Sequence, residues 1–266
     1  MIKKKIDYHC IYGPVASWRL GVSLGIDPIS MSYKVCSFDC LYCQIGRTKV
    51  LSTKRECFAT TDEIIGELKT ITKEGIDYIT FAGAGEPTLA GNLGRIIQKV
   101  KAVRLEKVAV ITNSSILNDP EVRSELLMAD KVIVKLDAAD EKTFKKINRP
   151  AKEVKFKNIL QGLRDFRKEF KGELAVQIMV IKENKKSAKE IAKLAYSISP
   201  DEIQINTPLR PCPVEPLGKK EITAIIEEFK ILCPKTRILS VYGPREEIKT
   251  ESISGKDTLR RRGKLV

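Results

Sequence analysis

An alternation of strands and helices runs through most of the 266 residues, and it restricts the fold more than any other feature. Leu20, Val22, Leu24 and Ile26 fall on one side of an extended segment, with Arg19, Gly21, Ser23 and Gly25 on the other. This period of two predicts a first strand ending at Asp27 and Pro28. Thr60 and Glu63 form a capping-box signature ahead of Ile64, Ile65, Leu68 and Ile71 at helical spacing. Further apolar, β-branched runs predict strands at Ile76 to Ala82, Lys107 to Thr112, Lys131 to Leu136, Leu174 to Ile181 and Glu202 to Asn206. Amphipathic stretches lie between them: Leu93 to Val103, residues 120 to 128, Phe156 to Phe170 and Ala188 to Ala195. Strand and helix in regular turn imply an α/β fold with a parallel sheet, right-handed crossovers and helices outside.

The expected organisation has a lead-in at 1–18 and the barrel-like α/β unit at 19–215. A helix around Ile222, Ile225, Ile226 and Phe229 and an edge strand from Arg237 to Tyr242 then occupy 216–249. Residues 250–266 read as a basic tail without an apolar face, mobile or ordered by a partner.

One loop directly after the first strand concentrates the chemistry. Cys36, Cys40 and Cys43 are separated by three and then two residues. Such spacing lets several thiolates converge, and soft thiolates select zinc, copper(I) or iron-sulfur clusters. A four-iron cluster normally takes four cysteines, so three would leave one iron open to a substrate or cofactor. Zinc completed by Cys10, Cys57 or His9 is the competing reading. About forty residues on, Phe81-Ala82-Gly83-Ala84-Gly85-Glu86-Pro87-Thr88 reads by itself as a tight turn stopped by proline.

Cys36, Cys40 and Cys43, with aromatic Tyr42 before the last, resemble the CxxxCx(aromatic)C signature of radical S-adenosylmethionine (SAM) enzymes. The turn at Gly83 to Pro87 is similar to that family's glycine-rich motif in a GxGEP form. Tyr12-Gly13-Pro14-Val15, Ser17 to Gly21 and Ser23 to Asp27 resemble the lead-in of a short group classed beside the wyosine-base (tRNA imidazoguanine) synthases, although only Cys10 precedes the loop. The resemblance covers roughly residues 11 to 210 and implies a partial (β/α)6 barrel open at one side. It also implies a [4Fe-4S] cluster on the three cysteines, SAM on the open iron, and reductive cleavage to a 5'-deoxyadenosyl radical that takes hydrogen from a substrate. By the same resemblance Tyr42, Gly83, Ala84, Gly85, Glu86, Asn113, Ser114, Lys135, Asp137, Asn206 and Thr207 line the cofactor site. Arg19 and Arg210, near strand termini, are the substrate candidates, because a guanidinium grips phosphate or carboxylate as a fork.

Charge and composition bear on partners. A formal charge of +14 favours a polyanion such as tRNA or another RNA, though lysine mixed with glutamate also suits a high-temperature surface. Basic residues near Lys142, Lys145, Lys146, Arg149, Lys152, Lys155 and Lys157 are candidate phosphate contacts. A low-potential electron donor of flavodoxin or ferredoxin type is the partner that the resemblance implies. Seven cysteines without a framework of pairs fit a reducing cytoplasm. Neither an apolar signal segment nor a run of about 18 apolar residues occurs, so no membrane partner is expected. With His9 as the sole histidine, radical chemistry suits the chain better than hydrolysis. The remaining readings are glycyl-radical activation or modification of a protein or peptide, and, from another class, a zinc-stabilised RNA-binding module without catalysis.

Overall fold

β1 (Ile11–Ser17) and β2 (Gly21–Ile26) form an antiparallel hairpin at one edge of the sheet. The structure, a computed structural model, describes residues 8–244, 249–253 and 255–261. Two short strands in the next loop, β3 (Val35–Cys36) and β4 (Val50–Leu51), pair only with each other. The alternation then runs α1 (Thr61–Lys69), β5 (Tyr78–Phe81), α2 (Leu93–Val103), β6 (Lys107–Thr112), α3 (Pro120–Leu126) and β7 (Lys131–Lys135). It continues α4 (Glu141–Asn148), α5 (Phe156–Glu169), β8 (Glu173–Met179), α6 (Ala188–Ile198), β9 (Glu202–Asn206), α7 (Lys219–Leu232), β10 (Arg237–Ser240) and α8 (Gly255–Arg261).

The large sheet has the order β1-β2-β5-β6-β7-β8-β9-β10, and every pair beyond the first hairpin is parallel. It curls into a half-barrel. Alternation along each strand sorts the two faces. Val132 and Val134 join the main core under the helices, whereas Ile133 meets Leu20, Ala109 and Ala175 on the inner face. Parallel strands place their carboxyl ends together, so the loops after β2, β5, β6, β7 and β9 share one rim. The capping box of α1 forms as the sequence implies: Thr60 N donates to Glu63 Oε2 (2.8 Å) and Glu63 N to Thr60 Oγ1 (3.2 Å).

Three segments depart from the sequence reading. Residues 11–17, assigned to the lead-in, are the edge strand β1; its register breaks between Tyr12 and Val15, where Gly13 and Pro14 disguise a strand. Residues 141–148, read only as a basic stretch, form α4, which buries just Phe144, Ile147 and Asn148. The tail expected to be mobile or ordered by a partner carries α8, which packs against β1 of the same chain. That helix is anchored by polar groups, which a search for an apolar face overlooks: Gly13 N donates to buried Thr258 (3.0 Å), and Arg261 pairs with Asp27 (3.1 Å). The final basic residues from Arg262 onward lie outside the described residues.

Candidate metal and cofactor site

The three cysteines hang on a loop that is fastened on both sides. Cys36 ends β3 opposite Leu51 of β4. On the other side the carboxyl end of α4 straps the loop: Asp39 N donates to Asn148 O (3.0 Å), Leu41 N to Ile147 O (2.9 Å) and Ala151 N to Ser37 O (2.8 Å). Each sulfur meets a different nitrogen donor. Lys34 Nζ lies 3.0 Å from Cys43 Sγ, Asn148 Nδ2 3.4 Å from Cys40 Sγ and Asn113 Nδ2 3.5 Å from Cys36 Sγ. Donors aimed at separate sulfurs suit an anionic, thiolate-ligated centre, since hydrogen bonds to the sulfurs stabilise its negative charge. Among the described residues no three Cys, His, Asp or Glu are grouped to hold a single ion. An iron-sulfur cluster does not require such a group, because each thiolate takes its own iron.

Burial pushes the Cys36 thiol up to about 12 and that of Cys40 to about 11. A cation bound there would reverse that preference, because metal ligation takes the thiolate and releases the proton. Burial also works against the Lys34 ammonium, yet the sulfurs of Cys43, Cys36 and Cys40 hold its pKa above the usual lysine value.

The glycine-rich turn after β5 is built from inside. Glu86 is buried and spends its carboxylate on the protein: Oε1 accepts from Thr112 Oγ1 (2.6 Å), Thr88 Oγ1 (2.7 Å) and Thr88 N (3.1 Å), and Oε2 accepts from Asn113 N (2.7 Å). Burial raises its pKa against the pull of these donors. A Cβ at Gly85 would stand 2.1 Å from Val35 O, and one at Gly83 would stand 2.3 Å from the Asp27 carboxyl carbon. The turn therefore needs glycine where it presses on β3 and on Asp27. Asp27 Oδ2 accepts from Ala84 N (3.0 Å) as well as from Arg261.

The residues expected around one cofactor cavity divide into two groups. A cavity of about 470 Å³ is lined by Gly83, Asn206, Thr207, Arg19 and Arg210, together with Tyr12, Trp18, Gln44 and Arg261 among others. Asn113, Lys135 and Asp137 line a separate small recess with Phe38 and Asn148. Asp137 is fully engaged: it accepts from Met179 N (2.7 Å), Asn148 Nδ2 (3.1 Å), Lys135 Nζ (3.2 Å) and the Tyr42 hydroxyl. Burial and the Asp137 charge raise the Tyr42 pKa well above normal, so the phenol donates and pins its loop to the end of β7. Ser114, expected at the cavity, is instead buried and tied to the main chain of Lys135, accepting from its N (3.0 Å). Tyr42, Ala84 and Glu86 are likewise buried and Gly85 packs on Val35 O, and none of the four is among the residues that line the cavity.

Sequence reasoning overlooked Lys34, Asn148, Asp27 and Arg261. Only Asn148 had an indirect signal, the capping pair of Asp140 and Thr143 that opens α4 (2.8 Å).

A family model described as the radical SAM superfamily matches residues 31–195. The UPF0026 protein slr1464 of Synechocystis is 43% identical over 209 residues, 78% of each chain. The UPF0026 protein MJ1312 of Methanocaldococcus jannaschii is 37% identical over 257 residues, 91% of this chain and 78% of that one. Among solved structures, Streptococcus suis SuiB bound to S-adenosylmethionine superposes with a TM-score of 0.62 at 10% identity. That match covers 78% of this chain and 48% of the longer SuiB chain, and it shows the shared fold. No described helix is long and apolar enough to cross a membrane.

Proposed function

The chain belongs to the radical SAM superfamily of enzymes, and from that premise we propose that Cys36, Cys40 and Cys43 hold a [4Fe-4S] cluster whose remaining iron takes SAM. One observation carries this reading: three sulfurs on one doubly fastened loop, each met by its own nitrogen donor, at the rim of the half-barrel. When bound, the cluster supplies the electron that splits a sulfur-carbon bond of SAM, and the protein orients the reactants.

The chain's own residues supply positioning and polarity. Lys34, Asn113 and Asn148 offset negative charge at the sulfurs, while Tyr42 and Asp137 fix the loop on β7. Glu86 stiffens the turn so that Gly83 presents bare backbone to the cavity. Asn206 and Thr207 close the far side at the end of β9. Within the cavity Trp18 and Arg19 stack, the guanidinium carbon 5.2 Å from the ring centre, and Arg210 lines the same space. An aromatic face beside two guanidinium groups fits a phosphorylated base, so the substrate proposed is RNA or a nucleotide.

Anaerobic purification followed by iron and sulfide analysis tests the cluster, with about four of each expected per chain. Dithionite reduction with SAM should then release 5'-deoxyadenosine and methionine. Stoichiometric zinc without SAM cleavage overturns the reading. tRNA affinity that falls steeply with salt supports the RNA part, and a flat salt response removes it.

A further inference from the structure

Lys34 lies two residues before the first cysteine of the loop, and only 7% of it is exposed. Its ammonium donates to Cys43 Sγ (3.0 Å) and Gly46 O (3.2 Å), while its main-chain oxygen accepts from Lys49 N (3.1 Å) and Val50 N (3.2 Å). The side chain is therefore held at both ends. Its charge is answered differently from that of the other lysines inside the barrel. Lys131 meets Glu173 and Glu202, and Lys135 meets Asp137. Among the described residues no carboxylate oxygen lies within 4.0 Å of Lys34 Nζ. Asp39, which feels the Lys34 charge, is occupied by Thr48 N (2.9 Å) and Arg149 (3.5 Å). A buried ammonium without a carboxylate partner is costly, so the anion that balances it must come from the sulfurs. The three sulfurs are also served unequally: Cys43 faces a full positive charge, whereas Cys36 and Cys40 face the neutral amides of Asn113 (3.5 Å) and Asn148 (3.4 Å).

We propose that Lys34 sets the electron affinity of the cluster: its fixed charge beside Cys43 raises the reduction potential, and the two asparagines contribute far less. The inference rests on the cluster reading above and assigns the tuning of that centre to one residue. Reduction takes one electron from a low-potential donor and brings no proton, so it adds negative charge to a centre already carrying three thiolates. Net charge and hydrogen bonds at the sulfurs govern the potential of such a centre, and a cation against one sulfur favours the reduced form. An amide offers only a dipole, whose field fades faster with distance than that of a whole charge. Burial spares Lys34 from screening by salt, whereas the exposed cations of the same loop, Arg47 and Lys49, are screened. Lys34 is a positioning residue in this scheme, acting through the sulfurs and not on the substrate.

The full chain, reconstituted anaerobically with iron and sulfide, is titrated with dithionite in the presence of redox mediators, and the reduced cluster is counted by electron paramagnetic resonance. Lys34→Met should lower the equilibrium constant for reduction by about tenfold or more, a midpoint about 59 mV more negative per tenfold. Lys34→Gln keeps a donor without the charge and should fall with Lys34→Met, while Lys34→Arg should stay within about threefold of the unsubstituted chain. Lys49→Met, which removes an exposed cation of the same loop, should leave the midpoint in place. A Lys34→Met midpoint equal to that of the unsubstituted chain overturns the proposal. So does an unshifted Lys34→Gln, which would leave the tuning to hydrogen bonding alone. If the Met and Gln variants hold no iron while Lys34→Arg does, the ammonium serves assembly of the centre and not its potential, and the proposal falls. If the unsubstituted chain itself holds no iron or gives no reduced signal with dithionite, the cluster reading fails, and the role of Lys34 with it.

Discussion

β7 carries a lysine at each end of its inner face, and the two have opposite surroundings. At the amino end Lys131 is buried, with Nζ 2.8 Å from Glu173 Oε1 and 3.2 Å from Glu202 Oε1. Arg237 completes the set by pairing with both carboxylates, 2.9 Å from Glu173. Every charge there is answered by another charge of the chain, so this end forms a closed floor. At the carboxyl end Lys135 Nζ lies 3.2 Å from Asp137, 3.5 Å from Gln177 and 5.1 Å from the Tyr42 ring centre, at the margin of the recess beside the cysteine loop. One strand thus holds one lysine inside a closed charge network and one at the margin of the recess, at the two ends that parallel α/β folds use differently.

The largest effect belongs to the rim. On the cluster reading Cys40→Ala removes one of the three proposed ligands, so 5'-deoxyadenosine formation should drop to background while the melting temperature of the metal-free chain barely moves. Retained SAM cleavage would break the assignment of the rim to chemistry. On the floor the order reverses. Lys131→Met leaves Glu202 buried with Arg237 as its remaining cationic partner, and breaking such a set costs about 3–5 kcal/mol. For a domain of this size that lowers the melting temperature by roughly 6–20 °C. SAM affinity of the folded fraction should stay unchanged, and a loss of affinity matching the loss of stability would erase the contrast.

How much of this contrast could be read beforehand depended on residue type. Repeated apolar periods located the parallel strands, because burial on both faces writes continuous Val and Ile runs such as Val132 to Val134. The cysteine loop was legible because ligand spacing is local. Lys135 was legible as a site candidate from its place at the carboxyl end of the strand, whereas the charge network around Lys131 depends on the register opposite Glu173, which the sequence does not write. β1, α4 and α8 escaped notice because their anchors are a bulged Gly-Pro step, a helix with few apolar residues and a buried arginine. Asn148 reaches its sulfur through the tertiary fold, signalled only indirectly by the cap that opens α4, and Lys34 does so within the loop without a spacing pattern to mark it.

Lys135→Met sharpens the comparison from the other side. Asp137 retains the main-chain donor of Met179, the Asn148 amide and the Tyr42 hydroxyl, so the carboxylate stays satisfied. Stability should therefore change little. SAM affinity, measured by equilibrium dialysis on the cluster-loaded protein, should fall by about tenfold, equivalent to about 1.4 kcal/mol. Unchanged affinity together with a lower melting temperature would show that Lys135 serves the fold alone, as Lys131 does.

The smallest effect comes from the rim's most distant contributor. Arg261, at the end of α8, reaches Asp27, which in turn receives Ala84 N of the glycine-rich turn and the main-chain nitrogens of Ile29 and Ser30 (3.1 Å each). Arg261→Gln removes the cation but leaves those three donors, and backbone N–H groups are what keep a buried carboxylate satisfied. Arg261 also donates to His9 O and lies 5.7 Å from the Tyr12 ring centre, so the stability loss should sit at about 1.5–3 kcal/mol, the range of a hydrogen bond to a charged group. Because Gly83 packs directly on the Asp27 carboxyl group, the slack should appear at the turn. A SAM affinity about threefold weaker, partly restored by Arg261→Lys, corresponds to about 0.6 kcal/mol at the cofactor. If the melting temperature moves while SAM affinity does not, Arg261 belongs with Lys131 as a structural clasp, and proximity to the carboxyl ends of the strands does not by itself assign a buried ion pair to the site.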